Sequence, residues 1–259
     1  MQLISGIQAE LAPNHITLLF TLAQDQAEEI RLYRTWWAQH RVDGVFLVDL
    51  QVRDRRIRAL EELGMPAVVT GTPRGSGRLP AVWQDDRAAT ETVVGHLAGL
   101  GHRRIARLGG FTRYWHSRLR ADALARAAEA AGMEAVSAAA DYTAEHGARA
   151  TRDLLKQDAP PTAIVYDNDV MAVAGLGAAQ QLGVRVPAGL SIVVWDDSAI
   201  CEIVRPAFTA LRRDIPAAGA CAARMLGEAV AGGHPASARE TPPALLVRDS
   251  TAAVQNPCR

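Results

Sequence analysis

Two apolar segments in the second half of this 259-residue chain each lead directly into acidic and amide side chains. Residues 162–166 precede an Asp-Asn-Asp triplet, and residues 190–195 precede a pair of aspartates. The side chains concerned are Asp167, Asn168, Asp169, Asp196 and Asp197. Buried parallel strands read as continuous apolar runs, and ligands bind at the edge of a sheet where such strands end. Carboxylate and amide groups at that edge predict hydrogen bonding to a small polar molecule.

Catalysis is the weaker interpretation of these residues. The sequence has no Gly-x-Ser-x-Gly, no Gly-x-x-x-x-Gly-Lys and no His-Glu-x-x-His motif. Asp196 and Asp197 are adjacent, so on a strand they face opposite sides and cannot act as an acid–base pair. His96 and His102 lack the other ligands of a metal site. We therefore predict no enzymatic activity, no cofactor and no metal, with a hydrolase of sugars or nucleosides kept as an alternative.

Composition places the chain among ordinary globular proteins. It is 49% hydrophobic and 22% charged, and its 28 basic and 28 acidic residues give a formal net charge of zero. A neutral chain has no electrostatic signature for nucleic acid. Cys201, Cys221 and Cys258 are an odd number without metal-binding spacing, which favours reduced thiols. With no long apolar run and no signal-like start, the sequence predicts a cytoplasmic protein.

Strand and helix patterns alternate along the chain, which predicts an α/β fold with parallel sheets covered by helices on both faces. The pattern begins with a predicted strand at residues 16–22 and starts again after Gly109. We therefore predict two Rossmann-like lobes joined by three crossovers. Residues 1–109 with 214–233 form the N-terminal lobe, and residues 110–213 with 234–259 form the C-terminal lobe.

Five segments carry a resemblance to a known family. They are Arg41–Leu47, Asp85 with His96–Ile105, Pro161–Ala172, Val186–Asp197 and Leu246–Thr251. Their order makes the match specific. The chain resembles the effector-binding region of the LacI/GalR family of bacterial transcription repressors, which has the type I periplasmic-binding-protein fold. Val194 departs from the family's usual glycine, and Arg212-Arg213 stands where a glutamine is common.

The start of the sequence is the largest departure from the family pattern. The resemblance places Met1 inside the family's first helix, so that the helix-turn-helix headpiece, the hinge and the first strand of the N-terminal sheet are expected to be missing. DNA binding is accordingly implied for a parent protein and not for these residues.

The resemblance implies an effector held between the lobes. Arg120 matches the family's ligand-binding arginine, although an exposed helix arginine is the alternative; its fork of donors suits hydroxyls, a carboxylate or a phosphate. Asn168 suits a hydroxyl-rich ligand or a helix N-cap. Asp196 is favoured as the ligand-contacting aspartate, and Asp197 as a structural one. Tyr142 matches a stacking position or a core tyrosine.

Asp85 and Arg213 complete the predicted effector site, and Asp85 alternatively caps the following helix. Weaker predictions at its edge are Trp83, Tyr114 and His116. The implied function is the effector-sensing domain of a homodimeric LacI-family regulator that binds a sugar or nucleoside and controls operator binding by hinge closure. The alternative is a solute-binding protein of a sugar transport system.

Overall fold

The predicted alternation of strands and helices is present in the computed structural model, which describes residues 1–254. Cys258 lies outside the described residues. The strands are β1 (Val45–Leu47), β2 (Ala67–Gly71), β3 (Ala81–Trp83), β4 (Arg104–Gly109), β5 (Glu134–Ala139), β6 (Ala163–Tyr166), β7 (Ser191–Val194), β8 (Thr209–Arg212), β9 (Ala238–Arg239) and β10 (Ala244–Leu246). The helices are α1 (Gln2–Leu11), α2 (Gln26–Ala38), α3 (Arg55–Leu63), α4 (Asp86–Gly99), α5 (Trp115–Ala130), α6 (Ala144–Leu155), α7 (Asp169–Gln181), α8 (Ala199–Ile203) and α9 (Ile215–Val230). None of these helices is long and apolar enough to cross a membrane.

Side-chain caps fix where several helices begin. The Asp25 carboxylate accepts a hydrogen bond from the amide of Glu28 at the start of α2, as the sequence predicts. Asp54 and Thr143 act in the same way for α3 and α6. Such caps satisfy backbone donors that have no partner within the helix. At the other end of α3, Gly64 adopts the left-handed conformation (φ 61°) that ends many helices.

The first compact unit comprises Met1–Asp85, Tyr114–His116 and Asp214–Thr241. Its four strands are parallel in the order β1-β2-β3-β9. Strand β2 is buried on both faces: Val69 packs with Leu60 of α3, and Val68 packs with Ala222 of α9. Helix α1 lies against α9, with Gly6 close to Pro216.

The prediction of a strand at residues 16–22 is wrong. These residues pair with no strand among the described part of the chain, and several of their side chains are exposed, Phe20 by 68% and Leu22 by 84%. An apolar, β-prone sequence supplies the propensity for a strand but not the hydrogen-bonding partner, which must come from elsewhere in the fold.

The second compact unit comprises Asp86–Arg113, Ser117–Arg213 and the chain from Pro242 onward. Its sheet has the order β10-β8-β7-β6-β4-β5, parallel except for β10 against β8. Met171 and Leu176 of α7 pack on one face together with Leu154 of α6. Leu97 of α4 and Leu124 of α5 pack on the other face. Two layers of helices therefore enclose the sheet, as expected for an α/β protein.

Two of the predicted lobe boundaries differ from those of the compact units. Helix α4 and strand β4 belong to the second unit, because β4 pairs with both β5 and β6. The first crossover therefore lies at Asp85, well before Gly109, and the last lies at Thr241 and not at Gly233. The chain also passes from the second compact unit to the first at Asp214, the position of the second predicted crossover.

A buried histidine holds the C-terminal segment onto the second sheet. His102 is 2% exposed, and its ring nitrogens lie 2.8 Å from Thr162 Oγ1 and 3.1 Å from Ser191 Oγ. Ser191 Oγ in turn accepts a hydrogen bond from the amide of Ala252. Burial lowers the pKa of His102 below its usual value, which favours the neutral ring.

The contact between α1 and α9 predicts a stability change. A Cβ atom at Gly6 would lie 2.0 Å from the carbonyl oxygen of Pro216. We expect Gly6→Ala to lower the free energy of unfolding by about 1–3 kcal/mol through this overlap. Gly95→Ala is the matched control, because its Cβ meets no atom within 4 Å and alanine favours the helix. The free energies of unfolding are measured with urea, and equal values for the two variants would contradict the contact.

The lowered pKa of His102 predicts a pH dependence. Above the ordinary histidine pKa of about 6.5 the ring is neutral in both states and has no effect. As the pH falls below that value, the unfolded chain binds a proton more readily than the folded one, so stability decreases. The expected slope is up to about 1.4 kcal/mol per pH unit for one histidine. Urea unfolding from neutral to mildly acidic pH should show a flatter profile for His102→Asn than for the parent protein.

Candidate functional site

Three neighbouring strands of the second sheet bring the predicted polar residues to one edge. Strand β6 lies between β4 and β7 and is parallel to both. Their carboxyl ends therefore meet at the same side of the sheet, where Gly110, Asp167, Asn168 and Asp196 follow them. We call this region, together with Arg120, the polar edge. It is the location at which open α/β sheets bind ligands.

Asp167 of the polar edge forms a buried ion pair with Arg107. Arg107 and Asp167 are each 3% exposed, and Arg107 Nε donates to Asp167 Oδ1 at 2.9 Å. A second, shorter hydrogen bond joins Arg107 Nη2 to Asp167 Oδ2. Ser117 Oγ accepts from Arg107 at 3.4 Å and donates to the carbonyl of Gly110 at 2.5 Å. The pair thus ties the ends of β4 and β6 to the start of α5.

Arg120 of α5 is held by carboxylates and an aromatic ring. Its Nε donates to Asp86 Oδ1 at 3.0 Å, and its Nη1 lies 3.8 Å from Asp167 Oδ2. The guanidinium carbon stands 4.2 Å from the centre of the Trp195 ring, a cation–π distance. Burial alone lowers the pKa of Arg120, but the charges of Asp86, Asp167 and Asp196 outweigh it and raise the pKa above its usual value. Arg120 is therefore a charged and positioned donor, not an exposed helix arginine.

The oxygen and the nitrogen of the Asn168 side-chain amide both form hydrogen bonds within the protein. Its Oδ1 accepts from the amide of Met171 at 2.9 Å and caps α7, and its Nδ2 donates to the carbonyl of Tyr142 at 3.1 Å. Tyr142 itself has φ 67°, and its ring packs on Gly110, where a Cβ would lie 2.0 Å from the tyrosine hydroxyl. Asn168 therefore caps α7, which was the alternative role predicted for it. It also lies next to the other residues predicted to bind a ligand.

The two aspartates after β7 have different surroundings. Asp197 is paired with Arg248 at 2.8 Å and with Arg212 at 2.8 Å. Burial favours a higher pKa for Asp197, but these hydrogen bonds and charges lower it below its usual value. Asp196 has a side chain 40% exposed and lies 3.4 Å from Arg213 Nη1. Asp197 therefore has a structural role, and Asp196 presents its carboxylate to solvent.

The remaining predicted residues belong to the first unit. Asp85 forms an ion pair with Arg239 at 2.7 Å, and that arginine lies over the ring of Trp83. Tyr114 and His116 stack with ring centres 5.6 Å apart. Asp85 is thus held in place at the end of its unit, whereas Arg120, Asn168, Asp196, Tyr142 and Arg213 all lie in the second unit.

No site role was predicted for Asp86, Arg107, Trp195 or Gln84. One signal was visible for Arg107, since a lone arginine within the apolar run 105–108 requires a buried partner. Gln84 is 6% exposed, and neither polar atom of its amide has a hydrogen-bond partner among the described residues. Buried amides are normally paired, so Gln84 is a candidate ligand contact of the first unit.

Known proteins are similar to this chain in sequence and in fold. Residues 94–251 match the periplasmic binding protein-like domain. The transcriptional regulator MalR of Streptomyces coelicolor is 36% identical over 208 residues, covering 76% of this chain and 59% of MalR. The chain thus spans about three fifths of the length of the curated relatives it matches.

Solved structures extend the match to nearly the whole chain. A LacI-family transcriptional regulator from Bifidobacterium animalis is 37% identical with a TM-score of 0.95, covering 98% of this chain and 94% of that one. The complex of the regulator CelR with cellobiose is 28% identical with a TM-score of 0.87, covering 96% and 78%. The relatives are transcriptional regulators and not enzymes, and they confirm the predicted fold class. This chain belongs to the LacI family of transcriptional regulators.

Proposed function

We propose that this chain senses a neutral, hydroxyl-rich effector, a sugar in the first instance, and that binding controls the attachment of a complete regulator to its operator. The proposal rests on the surroundings of Arg120. This arginine is charged, is held by Asp86 and Trp195, and is close enough to Asp196 to feel its charge. A positioned guanidinium beside a solvent-facing carboxylate can donate to one sugar hydroxyl and accept from another.

The charge balance of the polar edge favours a neutral ligand. The carboxylates of the polar edge and of its ion-pair partners are Asp86, Asp167 and Asp196, and the guanidinium groups are Arg107, Arg120 and Arg213. Three charges of each sign leave no surplus of positive charge for a phosphate. A nucleoside satisfies the same requirement and is the second candidate ligand. The CelR structure, whose ligand is cellobiose, supports a sugar by similarity.

The proposed mechanism is a shift between two conformations. An effector changes the population of a conformation only by binding it more tightly than the other, and a tenfold preference corresponds to about 1.4 kcal/mol. In the complete regulator this preference would be coupled to DNA affinity in a homodimer whose DNA-binding parts lie outside these residues. Such a regulator works in the cytoplasm. The regulator relatives argue against the transport alternative.

Removing the charge of Arg120 is the direct test of the effector site. We expect Arg120→Gln to weaken sugar binding by about 1.5–3 kcal/mol, because a charge-assisted hydrogen bond is lost. Maltose, cellobiose and a nucleoside panel are screened by thermal shift, and binders are then measured by calorimetry. Arg118→Gln is the control on the same helix, since Arg118 is exposed. Equal affinity for both variants, each folded, would refute the assignment.

Asn168 offers a variant that separates capping from binding. Serine caps helices about as well as asparagine, so Asn168→Ser should leave the free energy of unfolding within about 1 kcal/mol. It removes the amide that faces the Tyr142 carbonyl and the polar edge. We expect at least tenfold weaker binding of the sugar identified in the screen, measured by calorimetry. Unchanged affinity would show that Asn168 is a cap alone.

A further inference from the structure

Strand β5 is the outer strand of the second sheet, and one of its two edges is open. It pairs with β4 and, in the described part of the chain, with no other strand. The amides of Glu134 and Ala140 donate hydrogen bonds towards β4. Backbone groups alternate in direction along a strand, so the N–H and C=O groups of Ala135, Ser137 and Ala139 point away from the sheet. Within residues 1–254 these outward groups have no hydrogen-bond partner.

The usual protections of an open edge are missing from β5. Proteins normally block such an edge with charged side chains, a proline or a bulge. Residues 135–139 contain no charge and no proline, and the register with β4 runs without a bulge. Ser137 and Ala139 are exposed, so no described loop covers them. The edge of β5 is therefore able to accept hydrogen bonds from, and donate them to, an added strand.

A groove with a volume of about 300 Å³ runs beside this edge, between β5 and α6. Helix α6 packs closely against α7, which leaves the adjoining face of β5, with Val136 and Ala138, partly uncovered. The other residues that line the groove recur every three or four positions, and so form one face of α6 and its C-terminal end: His146, Arg149, Ala150, Asp153, Leu154 and Gln157. A strand added to β5 would place alternate side chains in this groove.

The charges of the groove indicate what such a strand would carry. Arg149 and Asp153 are exposed, and neither side chain forms an ion pair or a hydrogen bond with the rest of the described chain. They lie four residues apart on α6, which is about 6 Å along the helix. Side chains two residues apart on one face of a strand are about 6.8 Å apart. An acidic and a basic side chain with that spacing would therefore meet both Arg149 and Asp153.

We propose that the edge of β5 and the groove beside it bind an extended segment of another protein, which adds a strand to the second sheet and carries an acidic and a basic residue two positions apart. A second copy of β5 fits this site less well. Its alanine, serine and valine side chains are too short to fill the groove, and they bring no charge to Arg149 or Asp153. The proposal does not depend on the effector or on its site.

Selection from a phage-displayed library of random dodecapeptides on the immobilised protein tests the proposal. We expect the enriched peptides to share opposite charges two positions apart, and we measure the affinity of a labelled synthetic copy by fluorescence anisotropy. Ser137→Pro removes an outward N–H while the pairing with β4 is kept, so peptide binding should weaken about tenfold. Ser137→Ala retains that N–H and is the matched control, with unchanged affinity.

Charge reversal on α6 tests the groove separately. Arg149→Glu and Asp153→Arg should each weaken peptide binding about threefold, and the double variant should prefer a peptide with its two charges exchanged. Arg126→Glu of α5, an exposed position that does not line the groove, is the control. The proposal is overturned if no peptide is enriched, if binding survives Ser137→Pro, or if the protein forms larger assemblies that Ser137→Pro dissociates, since a second copy then occupies the edge. Circular dichroism confirms that each variant is folded. Sugar binding should be the same in all these variants, so the effector assignment is tested independently.

Discussion

The buried ion pair of Arg107 and Asp167 is the interaction on which the polar edge depends. Each charge would be strongly unfavourable alone in the interior, so neither residue is acceptable without the other. The pair joins the centre of the second sheet to Ser117 and Gly110, and the same Asp167 carboxylate lies beside Arg120. The position of Arg120, which we propose binds the effector, thus depends on a contact made by more deeply buried residues.

Local features of the fold were accessible from the sequence because their causes are local. The cap at Asp25 and the helix end at Gly64 each depend on residues only a few positions away in the sequence. The apolar runs of β6 and β7 likewise indicate by themselves that these strands are buried. Strand pairing is not local. The segment 16–22 has the composition of a strand but no partner in the described residues, and β4 belongs to the second unit only because distant strands pair with it.

The same distinction applies to the site. Arg120, Asn168 and Asp196 were predicted from residue types and family motifs, and the structure brings them to one edge of one sheet. Their supports were not predicted, since Arg107 and Asp167 are 60 residues apart and Asp86 reaches Arg120 from a separate helix. Residues proposed to contact the ligand can be recognised from local sequence motifs. The contacts that hold them in position join residues distant in sequence, and they form only when the sheet is assembled.

The amide of Asn168 has a mechanical consequence. Because its oxygen bonds the first turn of α7 and its nitrogen bonds the loop before α6, the amide has a fixed orientation, and one N–H and one oxygen lone pair are left for a ligand. A ligand held by this amide would lie at the beginning of α7, the end at which Asp169 accepts a hydrogen bond from Ser198, directly before α8. A ligand in that place would therefore be one side chain away from the starts of two successive helices.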